Sequence, residues 1–480
     1  MMQLKNIICK KLFISGFVLC TLASCTNTKQ KNKKPNVVFI LVDDLGWKDV
    51  SYNGSRYYQT PNIDNLTEKG VVFTNAYAAC AVCSPTRSSV LTGKYPATNN
   101  CTDWITGHVK PHAKYKVPDW TMYLDTAEYT MADAFRDAGY KTAHIGKFHL
   151  GEDSVYWPGN QGFDINIGGW KMGSPKSYFS PYKNPKIPDG PEGEYLTDRL
   201  AKEACDFIAQ NKEQAFFLNL WFYNVHTPLQ AKQETIEKYK NLVDSSYMQR
   251  NPIYAAMVEH TDDAVGKVVA ELEKQGLMEN TIIVFTSDNG GLVGNPKAQV
   301  TSNLPLRSGK GSMYEGGVRV PAFIVAPETS NPGTKCDKPI ISPDYFPTLM
   351  EMAGIECSNK VKSGFDGKSI VPLLKPQGII DRNAIFWHYP HYHTEGAVPY
   401  SAIRKNQWKL IHVIESESYE LYNLQDDIGE KNNLIAEKPR VAKELKQELN
   451  AWRKKVNAQM PIPNPDYIPE LADKFSWDLK

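Results

Sequence analysis

Two acidic motifs, each closing an apolar run, stand out in this 480-residue chain as groups able to do chemistry. Asp43-Asp44 follows Val37–Val42 at once, and Asp288-Asn289-Gly290 follows Thr281–Thr286. Three carboxylates and an amide oxygen are hard donors suited to Ca²⁺ or Mg²⁺. Adjacent carboxylates repel each other and call for a cation or a basic partner. Either motif alone reads as a polar loop; together, after two buried strands, they point to a metal. Cys83 opens a second segment, Cys83-Ser84-Pro85-Thr86-Arg87-Ser88-Ser89-Val90-Leu91-Thr92-Gly93. Lys147 and His149 lie in Gly146-Lys147-Phe148-His149-Leu150-Gly151, His226 in Val225-His226-Thr227-Pro228, and Lys310 in Gly309-Lys310-Gly311. Taken singly, these lysines and histidines are ordinary solvated or polar side chains.

The elements that would position them follow from periodicity. Val37–Val42 is continuously apolar and β-rich, as in a strand covered on both faces. Val71–Ala76, Lys141–Ile145, Ala215–Tyr223, Thr281–Thr286 and Val320–Val325 read as further strands. Helical patterns cover Thr60–Gly70, Tyr129–Gly139, Tyr195–Ala209 and Tyr254–Gln275. Such alternation predicts a doubly wound α/β domain, and in open α/β sheets sites form beyond the carboxyl ends of the strands. After about residue 375 the pattern changes. Ser401–Val413 and Ser418–Leu424 read as antiparallel strands, and Arg440–Val456 as an amphipathic helix with Leu445, Leu449 and Trp452 on one face. The expected organisation is a catalytic domain over 35–375 and a smaller C-terminal α+β subdomain over 376–480.

The segment from Cys83 to Gly93 resembles the sulfatase signature C-x-P-[ST]-R-x-x-x-[LM]-T-G, with every fixed position matched. The likeness runs from Asn36 to about Leu434. It takes in the motifs around Lys147, His226, Asp288 and Lys310, then Tyr314-Glu315-Gly316-Gly317-Val318-Arg319-Val320-Pro321 and Glu420-Leu421-Tyr422-Asn423-Leu424; Phe148 stands where the family has Trp. The resemblance implies a formylglycine-dependent (type I) sulfatase of the alkaline phosphatase superfamily, a sulfuric ester hydrolase. It implies a large doubly wound alkaline-phosphatase-like domain with a smaller C-terminal subdomain.

It also implies roles. Cys83 is oxidised by a sulfatase-maturing enzyme to Cα-formylglycine, whose hydrate is the nucleophile. One Ca²⁺ is held by Asp43, Asp44, Asp288 and Asn289 beside residue 83. Arg87 assists deprotonation of the diol, and Lys147 and Lys310 neutralise the sulfate. His226 protonates the leaving oxygen, and His149 takes the proton of the second hydroxyl.

Three aromatic loops are candidate pocket walls: Asn99–Asp119 with Asp103, Trp104 and His108; Gly168–Tyr182 with Trp170; and His388–His393 with His391 and His393. Trp and Tyr stack on pyranose faces, and carboxylates accept sugar hydroxyls. The histidine-rich loop lacks a zinc framework and reads as sugar contacts. These features favour a carbohydrate substrate, a sulfated galactose or N-acetylgalactosamine unit removed exo. Two other readings stay open: a phosphonate monoester hydrolase or phosphodiesterase of the same superfamily, and a sugar-binding lipoprotein without catalysis.

Composition and charge fit an exported enzyme. Apolar residues make up 41% and charged residues 22%, which excludes wholesale disorder. The net charge is +2, yet residues 1–34 hold seven lysines and no acidic residue, so the remainder is net acidic and lacks a nucleic-acid footprint. Lys5, Lys10 and Lys11 precede the apolar Leu12–Ala23, which is shorter than the ~20 residues a membrane span needs. Leu22-Ala23-Ser24-Cys25 resembles a bacterial lipobox, with residues 1–24 as signal, Cys25 lipidated and 25–34 a basic tether. The expected location is the bacterial envelope, an outer-membrane lipoprotein on the periplasmic face. Cys80 and Cys83 form a C-x-x-C without a thioredoxin or zinc context, and the sequence assigns no disulfide pairs.

Overall fold

The computed structural model describes residues 34–295, 298–327 and 331–479, which form one compact unit. The lipobox Cys25 and the tether up to Lys33 lie outside the described residues. An eight-stranded sheet is built from β1 (Asn36–Val42), β2 (Val71–Phe73), β3 (Lys141–Gly146), β4 (Ile165–Ile167), β5 (Phe216–Trp221), β6 (Thr281–Ser287), β7 (Ala322–Val325) and β8 (Thr334–Cys336). The spatial order is β8-β2-β7-β6-β1-β5-β3-β4. β1 pairs in parallel with both β5 and β6, and β3 in parallel with β5 and β4. β7 runs antiparallel to β6 and β2, so the sheet is mixed.

The continuous apolar run of β1 is explained by its two covered faces. Val38, Ile40 and Val42 enter one core with helices Pro61–Glu68 (α1), Leu196–Gln210 and Pro252–Lys274. Val37, Phe39 and Leu41 enter the other core, with Cys83–Thr92 (α2), Met131–Asp137 (α3) and Tyr345–Ala353. This period-2 division of one strand between two cores is the pleat itself. Local signals set several helix ends. Thr130 and Asp133 form a reciprocal capping box at α3. Asn251 caps the following long helix ahead of Pro252.

A second, four-stranded antiparallel sheet comprises β9 (Ile385–Tyr389), β10 (Tyr400–Lys405), β11 (Trp408–Val413) and β12 (Ser418–Asn423), with a helix at Pro439–Lys455. Ser401–Val413, expected as one strand, is a hairpin: β10 and β11 pair through a turn at Asn406, whose φ is 54°. Asn tolerates that left-handed turn position. Trp387, Leu410, Leu421, Leu445 and Leu449 share a core with Tyr77, Ala79, Val82 and Val318. The second sheet therefore backs the chain leading into Cys83. A buried ion network joins the same elements: Lys409 Nζ lies 2.9 Å from both Glu315 and Glu430, and Arg319 Nε donates to Glu315 at 2.8 Å. The six cysteines among the described residues are all free.

Candidate active site

The carboxyl ends of four neighbouring parallel strands converge on α2. Asp43 and Asp44 leave β1, Lys147 and His149 leave β3, His226 follows β5, and Asp288 and Asn289 leave β6. Ladder pairing continues past the strands and fixes the loops: Val225 N donates to Asp43 O at 2.7 Å and Lys147 N to Trp221 O at 2.8 Å. Cys83 begins α2, and Arg87 lies four residues on, on the same helical face. The Lys310 loop is tied down on both sides, with Lys310 N donating to Gly291 O at 3.1 Å and Gly311 N to Ala81 O at 2.8 Å. Asp44 and His149 both sit at φ 59°, the left-handed region that non-glycine residues seldom occupy. Such strain clusters where a side chain must be aimed. Gly290 makes room in turn: a Cβ there would strike the Gly316 carbonyl.

Three cations interlock with three carboxylates. Arg87 Nε donates to Asp288 Oδ2 at 2.9 Å, and Arg87 Nη1 donates to Lys147 O at 2.9 Å. Lys147 Nζ donates to Asp43 Oδ2 at 2.6 Å, and Lys310 Nζ to Asp44 Oδ2 at 2.8 Å. His226 Nε2 stands 3.7 Å from Asp44 Oδ2. Burial drives the Asp43 carboxyl well above its ordinary range despite Lys147. For Asp44, burial is outweighed by Lys310, His226 and Lys147, which hold it low; for Asp288, Arg87 and Lys147 do the same. Burial, then Lys310, pushes His226 down to about 3.

Asp43, Asp44 and Asp288 offer carboxylate oxygens within 4.8 Å of one another. Asn289 Nδ2 donates to Asp44 Oδ1 at 2.7 Å, and Asn289 Oδ1 and Asp43 Oδ1 are buried without hydrogen-bond partners. Orphaned buried oxygens are rare. Two of them in a hard-donor cluster fit a divalent cation such as Ca²⁺.

Cys83 Sγ and Ser84 Oγ each lie 3.3 Å from His149 Nδ1, while His149 Nε2 meets Ile105 O at 2.5 Å. A proton on Nε2, donated to Ile105, leaves Nδ1 free to accept from residue 83. Burial, then Lys147, holds His149 well below its usual value, so it is neutral.

Above this floor opens a cavity of about 430 Å³, lined by Cys83, His149, His226 and Lys310 and walled by Trp104, His108, Lys171, Met172, His393 and Glu395, among others. Trp104 Nε1 donates to His108 Nδ1 at 3.2 Å, and the His108 and His393 rings lie 4.9 Å apart. Three expected wall residues are placed elsewhere. Asp103 is buried under Tyr389 Oη and Trp104 N, each 2.8 Å from its Oδ1. His391 is buried against Thr102 Oγ1 at 2.8 Å and the Trp120 ring. Trp170 is outside the lining; its carbonyl accepts from His149 N at 3.1 Å and so holds the histidine rather than a sugar. Both segments are irregular loops, so no strand or helix period marks which side chain faces the cavity: Trp104 and His393 line it, whereas Asp103 and His391 face the core. Lys171 and Glu395 escaped sequence reading because a single charged residue in a loop carries no spacing signal. Ser84 and Ile105 O, which orient His149, were equally silent.

An α/β sheet with a mixed strand order, a C-terminal antiparallel sheet, and a cationic pocket over an acidic cluster together define a hydrolase of anionic esters. The chain belongs to the sulfatase family, whose model matches residues 35–355, and is thereby a sulfuric ester hydrolase. The C-terminal region of N-sulphoglucosamine sulphohydrolase matches residues 309–455. A sulfatase of Formosa agariphila is 32% identical, over 95% of this chain and 98% of its own. The N-acetylgalactosamine-6-sulfatase of Mus musculus is 30% identical, over 74% of this chain and 68% of its own. Among solved structures, Ps i-CgsB in complex with k-i-k-neocarrahexaose aligns with a TM-score of 0.73 and 29% identity, covering 91% of this chain and 95% of that one.

Proposed function

We propose that this enzyme removes sulfate esters from a carbohydrate, acting exo on a terminal sulfated galactose or N-acetylgalactosamine unit, with formylglycine at position 83 and one Ca²⁺. The observation that carries the reading is the set Lys310, His226 and His149 lining a walled cavity together with Cys83, with Lys147 fully buried on the adjoining Asp43. The likeness to an N-acetylgalactosamine-6-sulfatase and to a neocarrahexaose-bound protein supports a saccharide occupant.

Asp43, Asp44, Asp288 and Asn289, with residue 83, would hold Ca²⁺, which supplies Lewis-acid polarisation of a sulfate oxygen. Formylglycine, as its hydrate, supplies two hydroxyls on one carbon: one to attack sulfur, the other to expel sulfate afterwards. The chain's own groups do the rest. Lys147 and Lys310 bring positive charge to a monoanionic ester, and their burial makes that charge count for more than it would in open water. Arg87, locked on Asp288, fixes the helix face that carries residue 83. His226 donates Nδ1–H to Thr227 O at 2.8 Å, which directs Nε2 towards Asp44 and Lys310. The arriving sulfate adds negative charge beside it and favours the imidazolium that protonates the sugar oxygen. His149 Nδ1 takes a proton from residue 83.

The test is sulfate release from a panel of defined sulfated mono- and oligosaccharides, run beside an aryl sulfate and a phosphodiester. Release from galactose or N-acetylgalactosamine sulfates is expected. Faster phosphodiester turnover with no saccharide desulfation would move the enzyme to the phosphonate and phosphodiester branch.

The same proposal places the protein in the bacterial envelope, anchored through lipid on Cys25 on the periplasmic side and matured by a dedicated enzyme. Fatty-acid labelling that disappears in Cys25→Ala is expected; unlabelled, soluble wild-type protein contradicts the anchor.

A further inference from the structure

The last stretch of the chain, beyond the region matched up to residue 455, turns back onto the loop that supplies His108. Ile462–Pro463 pairs with Tyr115–Lys116. Asn464 Nδ2 donates to Pro111 O at 2.9 Å and Ala113 O at 2.8 Å, and Ser476 N donates to Val109 O at 2.9 Å. These bonds deliver two aromatic rings to the cavity's border. Phe475 and Trp477 are stacked, with centroids 4.7 Å apart and planes 9° from parallel. Both meet the His108 ring edge-on, at 5.5 and 5.4 Å. Lys110 Nζ sits 4.8 Å over Phe475 and 5.4 Å over the buried Tyr392 ring, and so ties Phe475 to the body of the protein. Phe475 is buried at 9% exposure, whereas Trp477 remains 48% exposed.

A large apolar ring left half in solvent gains little for the fold, yet this one is held in a fixed orientation by a buried ring beneath it and by backbone bonds around it. Rigid, exposed aromatics present contact area at small entropic cost, which is the property of a recognition surface. Position decides what is recognised. His108 is a cavity-lining residue and touches Trp477, so the indole lies just past the cavity wall.

We propose that Trp477, propped by Phe475, is the stacking platform for the sugar unit joined to the sulfated sugar in the cavity. The proposal rests on the carbohydrate reading above. A sulfated ring seated over Cys83 has its glycosidic link directed towards the cavity mouth, and a pyranose emerging past His108 meets the indole face. The C–H-rich face of a pyranose suits such a surface, and indole N–H can donate to a ring hydroxyl. A monosaccharide ends before the platform. Trp477 therefore sets the preference for chain length and leaves the sulfur chemistry to the groups around Cys83.

The experiment uses matured full-length enzyme. It compares kcat/KM on sulfated monosaccharides with that on the matching tetrasaccharides, for N-acetylgalactosamine 6-sulfate and for sulfated galactose, with 4-nitrophenyl sulfate as a chemistry control. In Trp477→Ala the tetrasaccharide-to-monosaccharide ratio is expected to fall about tenfold, ~1.4 kcal/mol of transition-state binding. The loss should lie mainly in KM, and Trp477→Phe should restore most of it. Melting curves establish that each variant is folded. A ratio unchanged in a folded Trp477→Ala variant overturns the platform while leaving saccharide desulfation standing. Aryl sulfate turnover without release from any saccharide overturns the carbohydrate reading, and the platform with it.

Discussion

His226 combines a backbone-anchored Nδ1 with an Nε2 that looks onto Asp44 and the cavity, the geometry of a proton donor to a leaving oxygen. His226→Ala should then damage sugar sulfates far more than an aryl sulfate with an acidic phenol, because a good leaving group needs little protonation. Equal losses on both substrates would assign it to sulfate binding. Asp103 teaches a different lesson. Sequence placed it on the pocket, but the structure buries it, and burial, against hydrogen bonds from Tyr389 and Trp104, pushes its carboxyl up to about 8. Its Oδ2 has no hydrogen-bond partner. The folded protein keeps that proton from pH ~4, the unfolded value, up to about 8. The unfolded chain releases it, so this group makes stability fall as pH rises through that window. Asp103→Asn should flatten the fall between pH 5 and 8 in urea denaturation; an unchanged slope contradicts a buried neutral acid. The residues that hold charge or metal were legible because their motifs are contiguous or fall at strand ends. Orienting groups such as Ile105 O and Trp170 O were not, since a backbone carbonyl leaves no mark in sequence.

At the scale of elements, apolar runs marked the buried strands well, and their ends led directly to Asp43, Asp288 and His226. The antiparallel course of β7 was not legible, because a strand buried on both faces has the same composition in either direction. The hairpin at Asn406 was read as one strand because a single Asn is a weak turn signal between two β-rich runs. The Tyr314–Pro321 motif gains a structural meaning: Glu315 takes Lys409 from β11 and Arg319 from its own segment, coupling the second sheet to the loop behind Cys83. Lys409→Met strands Glu430 without a counter-charge and leaves Glu315 with Arg319 alone. Breaking a buried pair in this way costs ~3–5 kcal/mol, which should appear as a clearly lowered denaturation midpoint. A loss below about 1 kcal/mol would put the network's worth at that of a surface pair.

For the molecule as a whole, three carboxylates and three cations are buried together, and Asp43 Oδ1 and Asn289 Oδ1, which no hydrogen bond satisfies, are the oxygens to which the proposed divalent ion would bind. Asp288→Ala should abolish stoichiometric Ca²⁺ binding by calorimetry and nearly all turnover. It should also remove the rise in thermal stability that Ca²⁺ gives the wild type. Full activity in chelator-stripped wild-type protein contradicts a catalytic metal. The C-terminal stretch had no motif to announce it, and its place beside His108 emerges only when the chain is folded back.

Turnover depends on Cys83. A thiol offers one nucleophilic atom and no second hydroxyl on the same carbon, so unmatured protein should be almost inactive. The decisive measurement is turnover plotted against the fraction of the Cys83 peptide carrying the CH₂SH-to-CHO mass change, in protein made with graded amounts of a maturation enzyme. A straight line through the origin is expected, with Cys83→Ala on the baseline at every maturation level. Full activity in Cys83→Ala, free of wild-type carryover, would contradict it and leave a metal hydrolase that uses free water.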